Sequence, residues 1–143
     1  MGRFGLYLRA LLAVLLMAGF AQAEDATAPE QAWQAVITGQ IEAFRAHDAP
    51  GAFQYAAAPF QTAFPNAEAF LATIIGTGYG PIAESTSHSF GSFTKLDEHS
   101  VAQEVMLTGK DLSRFEAIYL LTEEEIGWRV SGVQLVKTPG LSV

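Results

Sequence analysis

Cysteine is missing from this 143-residue chain altogether. Its absence excludes disulfides, thiol catalysis, cysteine-held metals and an acylated N-terminal cysteine. Basic residues are scarce as well: eight Lys and Arg stand against fifteen Asp and Glu, a net charge of −7. Such a surface repels phosphate backbones and anionic lipid heads, so nucleic acid is not an expected partner. The three histidines, His47, His88 and His99, lack the spacing of metal ligands. There are no internal repeats, low-complexity tracts or internal linkers. A chain without staples or metal sites must rest on its apolar core, and this one is long enough to bury one.

The long apolar run lies at the N-terminus. Arg3 and Arg9 form a positive start, Ala10 to Phe20 is apolar, and Ala21-Gln22-Ala23 is a small-x-small cleavage site before Glu24-Asp25. This is the pattern of a secretory signal peptide. A membrane span needs about 20 apolar residues, and Arg9 cuts this one short. The two arginines are not adjacent, so twin-arginine export is not indicated. Residues 1–23 are therefore expected to be a signal peptide, with the mature protein periplasmic or secreted and not anchored in a membrane. Cleavage would leave six basic residues against fifteen acidic ones, a net of −9.

Beyond a short polar lead at 24–28, residues 29–137 read as one domain, followed by a tail at 138–143. Thr27-Ala28-Pro29-Glu30 resembles a capping box with proline in the first turn. Trp33, Val36, Ile37, Ile41 and Phe44 follow at helical spacing, predicting a helix over 29–46. A short helix is expected at 50–57, with Phe53 and Tyr55, ended by Ala58-Pro59. Asn66 should cap a third helix at 67–75. Gly76-x-Gly78-x-Gly80-Pro81 should close it and end helical structure. A phosphate-binding reading of these glycines fails, because a dinucleotide fingerprint needs a strand before it and a helix after it.

From there the period becomes two. A weak strand at 82–87, a second at 89–95, a third through Val101, Gln103, Val105 and Leu107, a fourth at 114–122 and a last at 128–136 are expected. Phe115, Ala117, Tyr119 and Leu121 occupy one face of the fourth strand, with Ile118 and Leu120 on the other. Both faces of that strand should therefore be covered. In the last strand the apolar parity switches from Trp128 and Val130 to Val133 and Leu135. A bulge at Ser131-Gly132 would restore one apolar face. Trp128 and Val130 should then face the helices.

Helix, short helix and helix before a curved antiparallel sheet predict an α+β, cone-like fold with four to five strands. The order of Ile41-x-x-Phe44, Ala57-x-Pro59, Phe70, Gly78-Tyr79, Gln103-x-Val105, Ala117-x-Tyr119 and Gly127-Trp128-Arg129-Val130-x-Gly132 is similar to the nuclear transport factor two-like superfamily. That group is also called SnoaL-like or ketosteroid-isomerase-like. Within it the chain most resembles an uncharacterised bacterial family of small exported proteins that carries a domain of unknown function. The resemblance covers residues 30–137 and implies a pocket between the helices and the concave sheet. It implies no single reaction, because the superfamily holds isomerases, dehydratases, epoxide hydrolases and non-catalytic binders.

Enzymes of that superfamily place carboxylates or histidines in the pocket, where desolvation raises a carboxyl pKa towards that of a general base. Here Glu42 falls off the apolar stripe of the first helix, and Asp48 reads as a cap. Asp97, Glu98, Asp111 and Glu123 to Glu125 fall in turns, and Glu104 points away from Gln103. His47 ends a helix, His99 sits in a turn, and the face of His88 is left open. No catalytic residue, metal ligand or cofactor is expected. Tyr55, Tyr79, Gln103 and Tyr119 carry polar tips among apolar neighbours. They are either core groups satisfied by backbone or the ligand-binding residues of the pocket. The leading expectation is a non-catalytic module binding a small apolar ligand or a protein. The alternatives are a metal-independent isomerase, dehydratase or hydrolase, and a structural dimer subunit. A carboxylate or histidine facing the cavity separates enzyme from binder. Ile118, Leu120 and Met106 on the convex face suggest a homodimer through the sheet.

Overall fold

Residues 31–137 are described by the computed structural model. The expected signal peptide, the polar lead, the capping box around Pro29 and the C-terminal tail lie outside them. Among the described residues, five helices precede four strands: α1 (Ala32–Arg45), α2 (Ala49–Gln54), α3 (Ala58–Ala63), α4 (Ala67–Ile74), a wide turn at Ile75–Tyr79, then α5 (Gly80–Glu84). β1 (Ser85–Asp97), β2 (Ser100–Gly109), β3 (Arg114–Glu124) and β4 (Gly127–Lys137) form one antiparallel sheet in the order β1-β2-β3-β4. None of the described helices is long and apolar enough to cross a membrane.

Local chemistry explains most of these boundaries. Asp48 caps α2 by accepting from Gly51 N at 3.1 Å, and Asn66 caps α4 by accepting from Ala69 N at 2.8 Å. Two prolines act opposite to expectation. Pro59 opens α3 rather than closing α2, and Pro81 opens α5 rather than ending helical structure. Both sit in a first turn, where a missing N–H costs nothing. The first strand is correspondingly not at 82–87. Instead one 13-residue strand, β1, replaces the two expected. Its pairing with β2 slips between Ser85 and Ser87, between Phe90 and Phe93 and between Lys95 and Asp97, yet the strand runs through residue 88 without a break.

Alternation in β2 is clean. Val101, Gln103, Val105 and Leu107 are all buried on the concave face, joined by Ala117, Tyr119 and Leu121 of β3. The bulge in β4 falls where the parity switches: Leu120 pairs with Gly132 and Leu121 with Val130, leaving Ser131 extra. Val130 and Val133 thereby both reach the concave side. Trp128 faces the helices too, but it is half-buried rather than fully buried.

Helix α1 lies across this face with Ile37 and Ile41 fully buried. Two aromatic groups flank it. Trp33 meets Phe93 and Trp128 edge-on at 4.9 and 5.3 Å between ring centroids. Phe70 of α4 gathers Phe44, Phe53, Phe60 and Phe64 within 6.2 Å. Such contacts add about 0.5–1.5 kcal/mol each beyond area burial. The segment after α2 also joins β4 directly. Val130 N donates to Tyr55 O, and Ala57 N to Val130 O, both at 2.8 Å.

Candidate functional site

A cavity of about 240 Å³ opens on the Phe70 side of α1. Gln40 and Phe44 of α1 form one wall, and Phe60, Phe70, Ile74 and Ile82 from α3, α4 and α5 form the others. Val130, Gly132 and Val133 make the floor, so the β4 bulge shapes it. Ala56 and Tyr79 complete the lining. Tyr79 follows Gly78, whose φ of +105° is a conformation that glycine adopts freely and other residues rarely do. The Tyr79 hydroxyl donates to Val133 O at 3.0 Å, which leaves the ring as an apolar wall. Among the described residues, no aspartate, glutamate, histidine, lysine or arginine lines the cavity.

The four residues singled out from sequence are not gathered here. Only Tyr79 lines the cavity. Tyr55 caps the end of α2, and its ring lies against Gly39, where an added Cβ would sit 2.6 Å from the phenol oxygen. Tyr119 is fully buried, and its hydroxyl has no hydrogen-bond partner among the described residues. Burial pushes its phenol pKa well above the ordinary range, with Arg45 opposing the rise.

Gln103 is fully buried and fully engaged. Its Oε1 accepts from Trp33 Nε1 at 2.8 Å and from Gln34 Nε2 at 3.1 Å. Its Nε2 donates to Gly91 O at 3.0 Å and Ser92 O at 3.3 Å, inside the β1 bulge, and to Glu104 O at 2.9 Å. Outside that bulge, Glu104 accepts from Ser92 N and Oγ at 3.0 and 2.6 Å. Those bonds hold the Glu104 carboxyl below the usual range. Gln103 thus ties the first turn of α1 to an irregular strand.

A second tie joins the other end of α1 to β1. Arg45 Nε donates to Ser85 Oγ at 3.1 Å, and its Nη2 contacts His88 Nδ1 at 3.1 Å. A guanidinium can only donate, so His88 Nδ1 is the acceptor and the ring proton lies on Nε2, facing Thr38 Oγ1 at 3.0 Å. Burial lowers the His88 pKa, and the charge of Arg45 lowers it further. Sequence reasoning missed this network, because His88 lies 43 residues beyond Arg45 and 50 beyond Thr38.

Other expectations concern the outer surfaces. His47 and His99 are exposed, and His99 lies 3.3 Å from Glu123. Glu104 lies on the opposite face from Gln103, as expected. On the convex face Leu120 is 40% exposed, while Ile118 and Met106 are half-buried. No cluster of three or more His, Asp or Glu able to hold a metal occurs among the described residues.

Three solved structures resemble this chain, and the first agrees with this architecture. A domain of unknown function with a cystatin-like fold from Nostoc punctiforme superposes with a TM-score of 0.56 at 13% identity, over 80% of each chain. An NTF2-like protein with a cystatin-like fold from Novosphingobium aromaticivorans gives 0.48 at 15% identity, over 89% of this chain and 90% of that one. An NTF-2 like protein of unknown function from Silicibacter pomeroyi gives 0.48 at 13%, over 73% and 92%. No curated protein matches. The fold is α+β and cystatin-like, with helices packed on an antiparallel sheet. Residues 26–143 match the family described as a domain of unknown function (DUF4864), and the chain belongs to that family.

Proposed function

We propose that this is an exported, non-catalytic module that holds a small uncharged apolar molecule in the cavity beneath α1. The observation that carries this reading is the lining: apolar side chains and two polar ones, without a carboxylate, imidazole or cation. Most ligand sites combine an apolar wall with a few polar groups, as this one does. The alternative, a metal-independent isomerase, dehydratase or hydrolase, needs a general base within reach of a bound substrate. The half-buried histidine nearest to that role, His88, is engaged at both ring nitrogens and lines no part of the cavity. Export is supported by the Arg3/Arg9, Ala10–Phe20 and Ala21-Gln22-Ala23 pattern, which predicts Glu24 as the mature N-terminus.

Native mass spectrometry of protein purified from its own host tests both parts. The expected result is a polypeptide beginning at Glu24 that carries an extra small mass, lost in Val133→Phe, where the larger ring fills the cavity. A wild-type chain without added mass, and deaf to apolar probes, sinks the binding proposal. An intact Met1 on membrane-bound protein sinks the export proposal.

A further inference from the structure

We propose that Gln40 sets the specificity of this cavity, by accepting a hydrogen bond through Oε1 from a ligand that is otherwise apolar. The site then selects small uncharged molecules bearing one hydroxyl or N–H donor. This rests on the cavity being a ligand site.

Gln40 is 2% exposed and lines the cavity. Its Nε2 donates to Ala52 O at 3.1 Å, which fixes which end of the amide faces α2. No described residue donates to its Oε1. A ligand that fills the cavity displaces the solvent that Oε1 can otherwise reach, and an acceptor stripped of its donors is costly, so this position favours a ligand that supplies one. Tyr79 cannot share the role, because its hydroxyl is spent on Val133 O. With no charged side chain on the wall among the described residues, a carboxylate, phosphate or ammonium ligand would be buried there without a counter-ion. A plain hydrocarbon would fit the walls but leave Oε1 unpaired. Sites built round one polar contact reject analogues that lack the matching group. The volume sets the scale: a dry cavity of about 150 Å³ accepts benzene, so 240 Å³ suits about ten ring carbons.

1-Naphthol and naphthalene are a matched pair of that size, with and without one donor. Each is titrated into the isotope-labelled mature protein, its Gln40→Leu variant and its Gln40→Met variant, followed by NMR. In wild type, naphthol should move the Gln40 side-chain carbonyl resonance and naphthalene should leave it still. The ratio of the naphthol to the naphthalene dissociation constant should rise about tenfold in both variants, the effect of one buried hydrogen bond. A ratio unchanged within about twofold, with a silent Gln40 carbonyl, overturns the role of Gln40 while leaving the cavity a binding site. If neither probe binds wild type, the cavity reading fails and this inference fails with it. Should a variant not fold, the wild-type carbonyl shift decides alone.

Discussion

Gln103 and Gln40 are the same side chain at nearly the same burial, 0% and 2% exposed, yet they do opposite things. Every polar atom of Gln103 is bonded to the protein, on both sides of the core. Gln40 makes one side-chain hydrogen bond among the described residues, to Ala52 O. The first ties α1 to β1 and β2 beside the edge-on rings of Trp33, Phe93 and Trp128. The second lines the cavity. Burial alone therefore says little about a polar side chain's role; what matters is whether the protein itself supplies the partners.

The largest expected effect comes from breaking the Gln103 tie. Gln103→Leu orphans the Trp33 and Gln34 donors and the bulge carbonyls, and should cost about 3–5 kcal/mol in urea denaturation. A loss below about 1 kcal/mol would put Gln103 on a par with Gln40 and dissolve the contrast. Trp33→Phe removes one donor and leaves Gln34 to serve Gln103 Oε1, so about 1–2 kcal/mol is expected.

The two ties of α1 give a sharper test. The one at Gln103 contains no titrating group, whereas the one at Arg45 contains His88. Burial and then Arg45 depress the His88 pKa in the folded state, and Glu42 opposes them. The unfolded chain binds the proton at the ordinary value of about 6.5, so stability from this tie is present above that pH. It is lost as pH falls from there towards the lower folded value. His88→Gln should flatten that stretch of the stability–pH curve, measured by denaturation at intervals between about pH 8 and about pH 5. An identical slope in wild type and variant would show that the ring titrates freely. Smallest of all should be Gln40→Leu, within about 1 kcal/mol of wild type, because one lost hydrogen bond is offset by added apolar burial.

Gln103 was visible in the sequence and Gln40 was not, for a physical reason. An amide inside an alternating strand interrupts a strict period, so its burial can be read directly from Val101, Val105 and Leu107. On a helix the apolar stripe is broad, and a glutamine beside Ile37 and Ile41 reads as its polar flank. The Ser131 bulge was legible because it shifted parity within an otherwise apolar strand. The β1 bulge was not, because Ser, Gly and Thr around it carry no apolar pattern to shift. Pro59 and Pro81 misled for a simpler reason: proline stops one helix and starts another with equal ease, and only the residues packed afterwards decide.

The irregularity of β1 has a consequence for how the molecule meets copies of itself. β1 and β4 are the two margins of the sheet, and such margins are templates on which foreign strands can grow. At β4 the backbone of Tyr55 and Ala57 already occupies Val130. At β1 the pairing slips at Ser85–Ser87, Phe90–Phe93 and Lys95–Asp97, so no long straight run of donors and acceptors is on offer. The bonds at Val130 and the slips in β1 both work against edge-to-edge polymerisation, and the proposed homodimer uses the convex face around Leu120 instead. Sedimentation of Ile118→Asp beside wild type reads that directly, since an edge-built assembly would survive the new charge.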